Sequence, residues 1–190
     1  MNKATVILFS ILGVVVLLGV IATTMIITTR DQAVFAKNKV ESSFETIGTR
    51  LQQRSETMQI LINGIDDANE QIASLLEMIT DARAALATAT TPDEYSEAEG
   101  DLEGAFEGLR IIIEDNPGTY QTVDLYNQYM ASAVASTNAV TFARETYNDN
   151  VEAYRNTIES FPGNLILGMF GFTAEAYDYY SAPEVVIPSF

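Results

Sequence analysis

Residues 40–61 read VESSFETIGTRLQQRSETMQIL. Apolar side chains stand at Val40, Phe44, Ile47, Leu51, Met58 and Leu61, in alternating steps of four and three. That is the period of one face of an α-helix. Only Arg54 interrupts the stripe. The spacing continues through Ile65, Ala68, Ile72, Leu75, Ile79, Ala82 and Leu86. A second stripe runs through Tyr126, Met130, Ala133, Thr137 and Val140, meets Arg144, and goes on through Tyr147, Val151, Tyr154 and Ile158.

Punctuation divides the helices. Thr91-Pro92-Asp93-Glu94 is a helix start: Thr91 caps, Pro92 suits the first helical position and Glu94 completes a capping box. Asp115-Asn116-Pro117-Gly118 ends that helix, and Phe161-Pro162-Gly163-Asn164 ends the last long one. At Gly64 two signals conflict. The stripe runs through it in phase, which favours one helix over residues 33–90. Gly64 as a stop, with Asp67 and Glu70 as the next cap, favours a turn. With the turn, the segments have comparable lengths and close as an antiparallel bundle around one core. Without it, much apolar stripe is left unpaired.

Residues 4–28 carry no charge and are rich in Val, Ile and Leu. As helix this run spans about 37 Å, against a hydrocarbon core of about 30 Å. Thr5, Ser10, Thr23 and Thr24 can bond back to helix carbonyls. A cleaved signal peptide is the rival, but the run is long and Ala22-Thr23-Thr24 is a weak cleavage site. Arg30, Lys37 and Lys39 behind the span outweigh Lys3 before it, which favours a cytoplasmic domain. The opposite orientation is the alternative.

Composition excludes much chemistry. Among 190 residues there is no Cys, no His and no Trp, and 26 acidic residues face 10 basic ones. Disulfides, thiol redox pairs and Ser-His or Cys-His catalysis are ruled out. So are imidazole-held zinc or haem, and a lipid-anchored Cys. Beyond residue 30 lie all 26 acidic but only 8 basic residues, a formal charge of −18. Such a surface does not bind a nucleic-acid backbone and is repelled by anionic headgroups.

The C-terminal third adds a pattern. Ala143-Arg144, Tyr147-Asn148, Val151, Tyr154, Phe161-Pro162 and Phe170-Gly171-Phe172 stand in order and spacing. They resemble the LemA family motif A-R-x-x-Y-N-x-x-V-x-x-Y-N, then F-P, then G-F and an aromatic tail. Gln53-Arg54 and Asp81-Ala82-Arg83 resemble that family's Q-R-R and E-A-R. Three positions depart: Thr57-Met58-Gln59-Ile60 replaces a proline-bearing segment, Thr137 replaces Glu, and Arg155 replaces Asn. The resemblance implies a single-pass membrane protein with a four-helical domain, and implies little about activity.

Arg54 and Arg144 are the odd residues, each a charge in an apolar stripe. A buried guanidinium needs carboxylates. One reading is an anion or peptide-carboxylate site; the other is an internal ion pair fixing helix register, with Glu56, Glu114 and Glu145 as partners. The acidic run Asp93, Glu94, Glu97, Glu99, Asp101 and Glu103 reads as a solvated face near a helix start. Tyr126, Tyr147 and Tyr154 read as core. Tyr177, Tyr179 and Tyr180 read as interfacial anchors or a partner-binding patch, with Phe170 and Phe172 beside them. The glycines at 163, 168 and 171 argue against regular helix there. That tail either covers the open end of the bundle or lies near the bilayer.

The expected architecture is all-α: a transmembrane anchor over residues 1–30, an antiparallel four-helix bundle over 31–163 and an aromatic tail over 164–190. The bundle helices fall at about 31–63, 67–90, 92–115 and 119–160. The alternative is three long helices. The expected function is non-enzymatic, with no cofactor, metal or nucleic acid. The protein sits in the cell membrane and self-assembles or scaffolds other membrane proteins, with Arg54, Arg144, Tyr147, Phe170, Phe172, Tyr177, Tyr179 and Tyr180 as contact candidates. The alternative is a tethered sensor holding a small ligand or peptide between helices.

Overall fold

The computed structural model describes residues 3–63, 70–115 and 123–184. The chain is all-α, with helices α1 (Lys3–Asn63), α2 (Glu70–Thr88), α3 (Pro92–Asp115), α4 (Val123–Glu159) and the short α5 (Gly163–Ile166). Two 3-10 turns follow at Leu167–Phe170 and Ala174–Ala176. Two compact units form. One joins α1 as far as Val40 to Asn150–Tyr177; the other joins Glu41–Asp149 to the tail from Asp178 onward.

In the first unit, α1 begins with the uncharged run and is long and apolar enough to cross a membrane. Its hydroxyls bond inward as their spacing predicts: Ser10 donates to Val6 O and Thr23 to Gly19 O, each at 2.9 Å. No residue of the most apolar window is buried. Burial along α1 starts at Thr29 and continues through Ala33, Ala36 and Val40. Asn150 Nδ2 on α4 donates to Lys39 O (3.4 Å), which sets the two helices side by side.

The second unit holds the bundle. Ile47, Leu51, Met58, Leu61, Ile72, Leu75, Ile79, Ala82 and Leu86 are all buried, so the stripe is core. Arg83 Nη1 donates to Gln59 Oε1 (2.5 Å), so α1 and α2 lie alongside each other and the continuous 33–90 helix is not what forms. Gly64, Ile65, Asp67 and Ala68, on which the cap and the stripe between these helices were read, lie outside the described residues, as do Asn116-Pro117-Gly118. The α3 start is the expected capping box. Glu94 N–H donates to Thr91 Oγ1 (3.3 Å), while Glu94 Oε2 accepts from the N–H of Thr90 (2.6 Å) and Thr91 (3.1 Å).

The α4 stripe is buried at Val140, Tyr147, Val151, Tyr154 and Ile158, and it fails at Met130 and Thr137 before them. Met130 is 39 % exposed and Thr137 is exposed, whereas Tyr129 is 3 % exposed. Tyr129 packs on Phe106 and its hydroxyl donates to Phe106 O (2.9 Å). The segment between is Ala, Ser, Thr and Asn. It has too little apolar contrast to hold the phase, and one aromatic with a satisfied hydroxyl decides it. The side chain of Tyr126 lies outside the described ones.

Candidate functional site

Helix α3 carries the residue that organises the bundle interior. Its buried positions include Ile113, Leu109, Phe106, Leu102 and Glu99, a stripe stepping back by four and three that ends on a carboxylate. Glu99 is 3 % exposed. Arg144 on α4 approaches it (Nη1 to Oε2, 3.6 Å), Arg54 on α1 approaches its other oxygen (Nη1 to Oε1, 4.0 Å), and the Tyr180 hydroxyl donates to Oε2 (2.9 Å). Arg54 also pairs with Glu103 through Nη2. Its guanidinium lies 4.9 Å over the Phe106 ring, and that of Arg144 lies 5.9 Å over Tyr180. Thus the charged interruptions of three apolar stripes converge, with Glu99 meeting both arginines.

Burial raises the Glu99 carboxyl above its ordinary value of 4.5, against the opposing pull of Arg144, the Tyr180 hydroxyl and Arg54. Burial, reinforced by the neighbouring Glu99 charge, also raises the Tyr180 phenol. A hydroxyl so held stays a donor at neutral pH, which suits its bond to the carboxylate.

The motif residues of α4 hold the tail. In the bundle unit the Tyr147 hydroxyl donates to Asp178 O (2.8 Å). Asn148 exchanges two bonds with the backbone of Tyr180: Nδ2 to its carbonyl (3.1 Å), and its N–H to Oδ1 (2.8 Å). Ser96 Oγ donates to Ser181 O (3.2 Å), and at Gly100 a β-carbon would collide with the Glu184 carbonyl. In the other unit Tyr154 meets Tyr177 edge to face (5.1 Å), and Arg155 Nη2 donates to Tyr177 O (2.8 Å).

The sequence candidates separate accordingly. Arg54, Arg144 and Tyr180 come together on Glu99, while Tyr147 binds the tail at Asp178. The partners expected for the arginines do not: Glu56 and Glu145 are exposed, and Glu114 pairs with Arg110 (3.0 Å). The acidic run is not one solvated face, because Glu99 turns inward and Glu103 binds Arg54. Tyr180 is no exposed anchor, being 5 % exposed; Tyr177 and Phe172 are half-buried, and Tyr179 and Phe170 are exposed. Glu99 and Asn148 were missed as partners. Glu99 stands on the stripe of its own helix as Arg54 and Arg144 do on theirs. The two-sided bond of Asn148 depends on where the tail runs, which no local pattern encodes.

Shallow grooves flank both arginines. One of about 270 Å³ includes Arg50, Gln53, Arg54, Thr57, Ser132 and Ser136; one of about 220 Å³ includes Thr141, Arg144, Glu145, Asn148 and Tyr180. Among the described residues, no three of His, Cys, Asp and Glu are grouped to hold a metal ion.

A comparison with curated proteins finds no match. The LemA family model matches residues 43–186, which covers the bundle helices, the α4 motif and the tail it holds. The chain therefore belongs to the LemA family.

Proposed function

We propose that this protein is a single-pass, membrane-anchored helical module of the cell membrane, non-enzymatic, which assembles with itself or with other membrane proteins. One observation carries the reading. Among the described residues, none in the most apolar window of α1 is buried, and the same helix continues without a break to Asn63. An apolar stretch of this length left bare in water is a large penalty, and lodging it in lipid removes that penalty. The core charges support a structural rather than catalytic role, because Glu99 is held between Arg54 and Arg144. Confinement to a membrane raises the effective concentration for partners.

A second reading, a tethered sensor, is favoured by the groove beside Arg54. It is the weaker one, because the Arg54 guanidinium is already bound to Glu103 and Glu99. Full-length protein in native membranes tests the first reading. It should stay in the pellet through an alkaline wash, and in mild detergent its complex should exceed the 20.8 kDa of one chain. A soluble, monomeric full-length chain would overturn the proposal.

A further inference from the structure

Within the unit formed by the start of α1 and Asn150–Tyr177, a second apolar surface accompanies the anchor. Residues 160–174 contain no charged side chain, in a chain whose part beyond residue 30 carries −18. The segment is two-sided. Leu167 is fully buried and Gly163 is buried, close enough that a β-carbon there would press on the Thr157 carbonyl and the Leu167 side chain. Outward stand Phe161 at 70 % exposure, Leu165 at 69 %, Met169 at 84 % and Phe170 at 45 %. Gly171 closes the 3-10 turn at φ 79°, a left-handed conformation that suits glycine.

Its level along α1 follows from the pairing of the helices. Asn150 bonds the Lys39 carbonyl, and Ala153 and Thr157 share a groove with Gln32, Phe35 and Ala36. The two helices are therefore antiparallel, and residue numbers on one rise as those on the other fall. Continuing one residue for one residue sets Phe161 level with Thr28, the end of the uncharged run. Burial along α1 agrees. Thr29 is 4 % exposed, Met25 half-buried, and residues 6–24 exposed.

We infer that the face made by Phe161, Leu165, Met169 and Phe170 inserts into the bilayer interface beside the transmembrane helix, as a second membrane contact. This inference rests on the anchored reading above. A patch of large apolar side chains at the water boundary of a span loses less free energy in the acyl region than in water. The acidic remainder of the domain is repelled by anionic headgroups, so an uncharged segment is where approach is tolerated.

The absence of native Trp supplies the test. Four single-tryptophan variants of the full chain, Phe9→Trp, Phe161→Trp, Met169→Trp and Phe142→Trp, are reconstituted in phosphatidylcholine vesicles with brominated acyl chains. All four positions are exposed, so each ring is accommodated. Phe9→Trp reports the anchor, and Phe142→Trp, 70 % exposed on the bundle part of α4, reports water. Phe161→Trp and Met169→Trp should lose most of their emission to bromines near the headgroup, and Phe142→Trp should lose none. Quenching of Phe9→Trp alone would sink the interfacial contact and leave the anchor standing. No quenching of Phe9→Trp would remove the anchor and this inference with it. A blue shift at 161 and 169 without lipid quenching would assign the face to a second copy and overturn the inference too.

Discussion

Helix α4 grips the tail twice, with Tyr147-Asn148 and, two turns further on, with Tyr154-Arg155. In the bundle unit the grip is neutral and two-sided: the Asn148 amide bonds both the N–H and the carbonyl of Tyr180, as a neighbouring strand would. In the other unit it is cationic and directed at the single carbonyl of Tyr177, with the Tyr154 ring packed edge-on against the Tyr177 ring. The tail residue under Asn148 also reaches Glu99, so the first grip is tied to the buried charge cluster. Identical spacing on one helix thus yields one grip linked to the buried charge cluster and one directed at the Tyr177 backbone.

The largest expected effect breaks the cluster under the first grip. Arg54→Met keeps an apolar stem but removes the guanidinium held between Glu99 and Glu103 and stacked over Phe106. Removing one partner of a buried pair costs about 3–5 kcal/mol. Urea denaturation at neutral pH should show a loss of that order. A variant as stable as the parent would mean that the cluster contributes nothing to the fold.

The next test separates the grips. Asn148→Ala leaves two backbone groups of Tyr180 without this partner, a loss of about 1–3 kcal/mol; Arg155→Ala removes one part-buried carbonyl bond, about 0.5–1.5 kcal/mol. Hydrogen exchange read with stability should show the Tyr180 amide deprotected in the first variant only. Equal losses, with that amide unchanged in both, would show the two grips to be equivalent.

These differences mark where the sequence was legible. The stripe from Val40 to Leu61 and that from Ile72 to Leu86 repeat apolar against polar at every turn, so period alone finds the core. Thr91 and Glu94 form their capping box because the interaction is local. Arg54 and Arg144 were recognisable as charges on apolar stripes. Glu99 was not, because Glu97, Asp101 and Glu103 surround it in sequence and hide its phase, although Leu102, Phe106 and Leu109 set it. The tail was least legible. Tyr180 is buried by bonds to residues far away in sequence, and a run of exposed tyrosines looks the same in sequence as one buried tyrosine among exposed ones.

The smallest effect concerns proton linkage, where two carboxylates of α3 act in opposite directions. Backbone N–H groups of Thr90, then Thr91, hold Glu94 below its ordinary 4.5. Its contribution to stability is present above that value and fades as pH falls through the lowered folded pKa. Glu99 is raised by burial, so the folded protein holds that proton more tightly than the unfolded chain. Its contribution is greatest at low pH and declines as pH rises from 4.5 through the raised pKa. Glu94→Gln should therefore flatten the acid limb of a stability–pH curve. Glu99→Gln, whose amide oxygen still accepts from Tyr180, should remove the decline on the side above 4.5. The Glu94 effect is screened at an exposed cap and is the smaller of the two. If Glu99→Gln instead steepened that decline, the two arginines would outweigh burial, and Glu99 would be an ordinary ionised partner in the cluster.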